Sequence, residues 1–344
     1  MSFTALSFDQ LAALLGSRTR ATAARRWLYR GGAVPSELPS RIPGVTPAAW
    51  EAVRAAAPLP AWKRARREAA ADGTVKYALD LAGAVVETVL IPTRDRSTVC
   101  VSSQAGCSRS CSFCATATLG LVRRLDAGEI VLQYAIAAAD APARSPVRNV
   151  VFMGMGEPMD NLDAVLEAID RLLEAPWPGL SAAHVTVSTS GVLPGMKRFL
   201  REGRGHLALS LNATTDAQRQ QAMPHNRTWP IAALLGALRD DQGLHPGRRS
   251  FIEYVLWDGV NDTDGDAGRL AALLDGLDAQ VNLIPHNGFA ASALRPPTDE
   301  AVRQFQQALA RGGVRSIVRW PRGRDIAAAC GQLAGRIVSV SAGA

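Results

Sequence analysis

Lysine is nearly missing from this 344-residue sequence: Lys63, Lys76 and Lys197 are its only three, beside 35 arginines. No polylysine tract accounts for its charge, and the arginine bias, which a GC-rich genome produces by itself, carries no functional weight. No apolar run approaches the roughly 18 residues of a membrane helix, so no membrane partner is expected. The first ten residues, MSFTALSFDQ, have no basic stretch followed by an apolar one; no secretory signal is visible, and a cytoplasmic location is the expectation. The five cysteines are then read as reduced thiols. His184, His206, His225, His245 and His286 are scattered singly, and a lone histidine is more often structural than a ligand. Repeats, low-complexity linkers and heptads are lacking too, which points to a monomer. What is present, 47% hydrophobic and 20% charged residues, suits a soluble globular chain long enough for one large domain or two ordinary ones.

The charge is unevenly spread. Residues 1–80 hold twelve basic side chains against six acidic ones, and so carry six of the seven net positive charges. A basic quarter on a nearly neutral remainder suits phosphate binding, because each neutralised phosphate releases counterions; a solvated arginine face is the competing reading. This quarter begins with helical spacing at Phe8, Leu11, Leu14 and Leu15 and again at Ala23, Trp27 and Leu28, until Pro35, Pro39, Pro43 and Pro47 interrupt it. Asp72-Gly73 marks a turn after Arg/Glu-rich sequence, and residues 75–81 and 85–91 predict a hairpin. A small basic α/β domain over residues 1–92, helices plus hairpin, is therefore predicted ahead of a second domain over 93–344.

In the second domain, short β-branched runs at 99–102, 149–153, 185–188, 207–211, 252–256, 281–284 and 316–319 mostly alternate with helical stretches. Two of these have clean apolar faces: Leu162, Val165, Leu166, Ile169 and Leu173, and Val302, Phe305 and Leu309. The predicted fold class is α/β, a partial or full βα barrel of TIM-like kind. Ligands gather at the C-terminal strand ends of such folds, and polar or glycine-rich sequence follows these strands at 154–158, 188–191, Asn212 and 285–288.

Cys107, Cys111 and Cys114 fall within eight residues, spaced C-x3-C-x2-C on a predicted loop. Three thiolates on one loop can hold a soft metal centre, a four-iron cluster among them. One iron would then keep an open position, as catalytic zinc does. A structural zinc site would want a fourth ligand and usually a second Cys or His pair; the remaining cysteines are Cys100 and Cys330. Unmetallated core cysteines are the third reading.

The spacing, with Phe113 before the last cysteine, resembles the radical S-adenosylmethionine (SAM) superfamily, and Gly154-Met155-Gly156-Glu157-Pro158 fits it. Five further segments narrow the resemblance: VETVLIP at 86–92, CVSSQ at 100–104, VSTSG at 187–191, VNLIP at 281–285 and ACGQL at 329–333. They are similar to the RlmN/Cfr family of RNA adenine methyltransferases, in order and spacing, from about Leu11 to Arg336.

The resemblance implies a radical SAM barrel with one four-iron cluster on Cys107, Cys111 and Cys114, its fourth iron open to SAM. It implies SAM contacts at Gly156, Glu157, Ser188, Ser210, Leu211, Asn212 and Asn287. It makes Cys330 the carrier of a methyl group taken from one SAM, Cys100 the thiol that later forms a disulfide with it, and Glu87 the proton acceptor. Without the resemblance, Cys100 and Cys330 would read as small buried hydrophobes and Glu87 as a solvated strand residue. In the family scheme the deoxyadenosyl radical takes hydrogen from the Cys330 methyl, and the resulting methylene radical adds to the base. Attack by Cys100 on the Cys330 sulfur then expels the product, and the disulfide must be reduced. The implied substrates are an adenosine of 23S rRNA and adenosine 37 of tRNA, with an electron donor such as flavodoxin or ferredoxin. Pro158 matches the C2-methylating branch; the C8 branch carries alanine there. C8 methylation, a non-catalytic RNA-binding assembly homologue and a small-molecule radical SAM enzyme are the alternatives. Asn212 departs from the family's histidine, His286-Asn287-Gly288 from a Trp-Asn-Pro type sequence, and residues 289–292 from an expected proline and glycine.

Overall fold

A computed structural model of the chain describes residues 1–30, 32–289 and 292–334, without the side chain of Arg30. Ala290 and Ala291 of the divergent 289–292 stretch, and Arg336 at the end of the family resemblance, lie outside the described residues.

Three helices lead the chain: α1 (Phe8–Leu15), α2 (Arg18–Arg30) and α3 (Pro47–Ala56). Helix α1 starts at a capping box, where Ser7 and Gln10 each satisfy the other's backbone N–H, and ends at Gly16 in the left-handed region. The rings of Phe3, Trp27 and Trp50 meet edge to face in the small core beneath.

Strands β1 (Trp62–Ala69), β2 (Val75–Leu81) and β3 (Ala84–Pro92) follow as an antiparallel meander. Strand β3 pairs antiparallel with β4 (Ser97–Cys100), so the limit at residue 92 separates two hydrogen-bonded strands of one sheet. A short hairpin of β5 (Gln104–Gly106) and β6 (Leu121–Arg124) comes next, then α4 (Ala127–Ala139), β7 (Val147–Phe152), α5 (Leu162–Leu173), β8 (Val185–Thr189), α6 (Leu193–Glu202), β9 (His206–Ser210), α7 (Asp216–Ala222) and α8 (Ile231–Leu244). The chain continues through β10 (Ser250–Leu256), α9 (Asp264–Leu274), β11 (Ala279–Pro285), α10 (Asp299–Arg311) and β12 (Arg315–Val318). Strands β4, β7, β8, β9, β10, β11 and β12 run parallel in that order, each at one of the seven β-branched runs of the sequence. The result is a partial βα barrel, extended at one edge by the meander. Alternation along β10 turns Ile252, Tyr254 and Leu256 into the core, fully buried; Glu253 and Val255 line a cavity on the other face.

Among the described residues β1 and β12 do not pair, and the segment after β12 bridges back instead. Arg322 Nε donates to Asp72 Oδ2 at 2.7 Å, Gly323 N to the same oxygen at 3.1 Å, and Ala71 N to Asp325 Oδ2 at 3.0 Å. Burial alone would raise the Asp72 carboxyl, but hydrogen bonds from Thr74, Gly323 and Arg322 overcome it and hold the group down at about 2. At the other end of the chain, buried Arg25 grips Glu174 Oε2 at 2.5 Å as well as the Leu6 and Trp177 carbonyls, fastening the helices to the end of α5.

Candidate active site

The cavity lies at the C-terminal ends of the parallel strands and spans about 930 Å³, open water included. Cys107, Cys111, Cys114, Gly156, Glu157, Ser188, Ser210, Asn212, Asn287 and Cys330 all line it. Cys100, Glu87 and Leu211 do not; all three are buried behind the wall.

The cysteine loop hangs from the β5–β6 hairpin. Gly106 must be glycine there: its φ is +73°, and a Cβ would fall 1.8 Å from the Gly120 carbonyl oxygen. Cys107 N donates to that same oxygen at 2.9 Å, and Ser112 N ties the loop to the Ala222 carbonyl at 3.0 Å. Phe113 packs on Trp257, ring centroids 5.3 Å apart, beside Met223 and Cys111. Burial first, then the negative charges of Glu157 and the neighbouring thiolates, pushes the Cys107 thiol up to about 11 and Cys111 well above its ordinary value. Thiolates crowded on one loop are stabilised together by a positive centre, which is what an iron cluster offers. Among the described residues no three His, Cys, Asp or Glu side chains could hold a single metal ion. A four-iron cluster takes each thiolate on a different iron, so wider ligand spacing fits it. The Trp257 indole N–H and the Gln104 amide nitrogen, both buried near the loop, find no acceptor among the described residues.

Across the cavity, Glu157 is buried in the wall. Its Oε2 accepts from Ser190 N at 2.8 Å and Ser190 Oγ at 2.7 Å, and its Oε1 from Met159 N at 3.0 Å. Burial raises this carboxyl, the hydrogen bonds oppose the rise, and together they fix its direction. Gly156, at φ +99°, brings the backbone against Gln104, whose Oε1 accepts from Glu157 N at 2.9 Å. A Cβ there would sit 2.5 Å from Gln104 Cβ. Gly156→Ala is therefore expected to cost about 2 kcal/mol through strain and clash. Calorimetry checks it, and an unchanged unfolding midpoint would contradict the strain.

Ser188 and Ser210 touch, Oγ to Oγ at 3.3 Å. Asn212, which stands in place of histidine, sits at φ +59°, a left-handed conformation that asparagine tolerates. Its Oδ1 accepts from Val255 N at 2.9 Å, so the side chain joins the ends of β9 and β10. His286 is buried, and burial pulls its imidazole below the ordinary histidine range.

The Cys330 loop is stitched to its neighbours. Ala115 N donates to the Gly331 carbonyl at 2.7 Å, Thr116 Oγ1 to the Leu333 carbonyl at 2.7 Å, and Asn287 Nδ2 to the Cys330 carbonyl at 3.2 Å. Ala334 N reaches Glu87 Oε2 at 2.8 Å, while Lys76 Nζ lies 3.3 Å from Glu87 Oε1. Glu87 is thus not the solvated strand residue that its sequence context suggests: β3 is an interior strand, and the carboxylate is buried with a cationic partner. Cys330 exposes its surface to the cavity yet is hemmed in by protein; burial first, then the Glu253 charge, pushes its thiol up to about 11. Cys100 is pushed up by burial and, further, by the charge of Cys330, so the two thiols are within electrostatic reach.

Sequence reading missed several residues of this site. Arg219 is fully buried, donating to the Leu211, Ser190 and Ser210 carbonyls and to Asn226 Oδ1, and burial pulls it down to about 10. Arg109 pairs with Asp160 through two N–H groups. Glu253, on β10, lines the cavity.

Comparison with known proteins agrees with this geometry. The radical SAM superfamily model matches residues 101–271. The chain is 45% identical over 322 residues to the dual-specificity RNA methyltransferase RlmN of Anaeromyxobacter dehalogenans (strain 2CP-C), covering 92% of this chain and 86% of that one. It is 43% identical over 352 residues to the protein of the same name from Geobacter sulfurreducens, covering 96% and 91%. The crystal structure of a radical SAM methyltransferase from Sphaerobacter thermophilus aligns with a TM-score of 0.91 at 40% identity, over 98% of this chain and 100% of that one. Identity and coverage on this scale, with the cysteine loop and the GEP turn facing one cavity, settle the family: the chain belongs to the RlmN family of radical SAM RNA methyltransferases, which work with a four-iron cluster and SAM.

Proposed function

We propose that this chain methylates C2 of an adenosine in 23S rRNA, with adenosine 37 of tRNA as a second substrate, through a methyl group carried on Cys330 and released by Cys100. The observation that carries the reading is the placement of Cys330 in the same cavity wall as Cys107, Cys111, Cys114 and Glu157, on a loop bonded directly to the cysteine loop. The dual-specificity naming of the relatives supports two RNA substrates, and Pro158 supports C2.

C2 of adenine is an amidine carbon without a lone pair, so it cannot take a methyl cation as a nucleophile would; bound together, the cluster and SAM supply the methyl group and its radical activation. The chain's own part is positioning and proton handling. Cys107, Cys111 and Cys114 would hold the cluster. Glu157, fixed by Ser190 and Met159, would bind the ammonium group of SAM, and Ser188, Ser210, Asn212 and Asn287 would supply further contacts. Cys330 presents its sulfur to the base. Glu87 accepts the ring proton, and Cys100 attacks the Cys330 sulfur, forming the S–S bond as the carbon–sulfur bond breaks. Exposed Arg26, Arg41, Lys63, Arg64 and Arg66 supply phosphate contacts for flanking RNA, since the base must leave its stack to reach a cavity. We place the enzyme in the cytoplasm as a monomer reduced by a flavodoxin or ferredoxin.

The test is mass spectrometry of nucleosides from 23S rRNA fragments and tRNA after anaerobic incubation with reconstituted protein, reductant and SAM bearing a trideuterated methyl group. The expected product is 2-methyladenosine retaining two of the deuteriums. Exclusive 8-methyladenosine overturns the C2 assignment, and SAM cleavage without any methylated adenosine overturns the substrate.

A further inference from the structure

Two carboxylates stand in the cavity wall, Glu157 and Glu253. Glu157 is held at both oxygens by protein donors. Glu253 is different. It projects from the middle of β10, opposite Ser210 on one neighbouring strand and Asn282 on the other, and only 5% of it is exposed. Asn282 Nδ2 donates to its Oε1 at 2.7 Å, and Arg319 Nε donates to Asn282 Oδ1 at 3.1 Å behind it. Among the described residues no donor meets its second oxygen, Oε2. A charged side chain buried inside a barrel and anchored through one oxygen has its other oxygen available for chemistry.

The same cavity contains a thiol that must lose a proton. Methyl capture by Cys330 needs a thiolate, and Cys330 is held mostly as the thiol by its surroundings, up to about 11. Glu253 is pushed up to about 7 by burial, against the hydrogen bond from Asn282 and the charge of Arg319. A carboxylate poised near neutrality in the same cavity wall as a reluctant thiol is an acid–base pair matched to this transfer.

We propose that Glu253 is the residue that accepts the Cys330 thiol proton when Cys330 takes its methyl group from SAM. The inference rests on the reading of Cys330 as methyl carrier and adds a proton acceptor to it, distinct from Glu87. The S–H bond breaks and its proton passes to Glu253 Oε2. The sulfur pair forms the new S–CH₃ bond, and the C–S bond of the sulfonium breaks with its electron pair staying on the departing thioether. No reductant enters this step, and Glu253 afterwards returns the proton to solvent. Carboxylate and thiol are not hydrogen-bonded in the structure; such contacts commonly tighten only in the complex with substrate.

The experiment follows the Cys330-bearing peptide by mass spectrometry. The cluster-loaded full chain, free of RNA and reductant, is mixed with SAM bearing a trideuterated methyl group and sampled in time. Glu253→Gln, which keeps an oxygen for Asn282, is expected to slow label uptake at Cys330 by about 100-fold or more, and Glu253→Asp to restore much of the rate. Alkylation of Cys330 by iodoacetamide in the same cluster-loaded proteins without SAM supplies the second readout. There Glu253→Gln is expected to react as fast as the parent or faster, because removing a neighbouring negative charge eases thiolate formation. Label uptake at the parent rate in Glu253→Gln overturns the proposal, as does an equal fall in uptake and alkylation, which marks a misplaced loop. An unlabelled Cys330 in the parent protein overturns the methyl-carrier reading itself, and the role of Glu253 with it.

Discussion

Cys330→Ala is expected to lose methyl transfer to RNA by a factor on the order of 10⁴ or more, the scale seen when an enzyme's nucleophile is removed, while its affinity for RNA stays within about twofold of the parent. The two effects separate because the basic residues at the N-terminal end lie on other elements than the Cys330 loop. The loop keeps its place without the thiol: its anchors to Ala115, Thr116, Asn287 and Glu87 run through backbone atoms of residues 330, 331, 333 and 334. Nucleoside mass spectrometry and salt-dependent RNA binding, run side by side, check both halves. Methylated adenosine formed by the alanine variant would remove Cys330 from the mechanism. A parallel loss of binding would assign it to RNA docking.

Cys100→Ala is expected to fail later and more visibly. In the proposed scheme the base is joined to Cys330 before Cys100 acts, so the variant should stall as a covalent protein–RNA adduct, seen as a nuclease-sensitive shift on a denaturing gel, with less than one product per enzyme. Release should also depend on pH in the parent. Burial raises the Cys100 thiol, so its reactive thiolate grows with pH across the neutral range, and product release is expected to quicken as pH rises. A Cys100→Ala protein that turns over many times would exclude the disulfide route.

How far the sequence could be read follows from where each signal is stored. Cys107, Cys111 and Cys114 announce themselves because their ligand spacing is local, and the GEP turn because it lies next to a strand. The seven parallel strands were legible as β-branched runs, and α5 and α10 as apolar faces. Strand β1 was not: Lys63, Arg64, Arg66 and Arg67 make an exposed edge with no alternation, the charged form that sheet edges take. Glu253 was hidden by its neighbours, since Ile252, Tyr254 and Val255 read as an ordinary buried run. A charge in the middle of such a run was the usable signal, because parallel strands covered on both faces are nearly continuous in apolar residues. Arg219, in a short polar helix, gave none; its burial depends on Ser190, Ser210 and Leu211 arriving from other strands.

The bond from Ala115 N to the Gly331 carbonyl joins the residue after the last cluster ligand to the residue after the methyl carrier. The two loops are thereby tied through a single backbone bond, so a displacement of the cysteine loop is carried to Cys330.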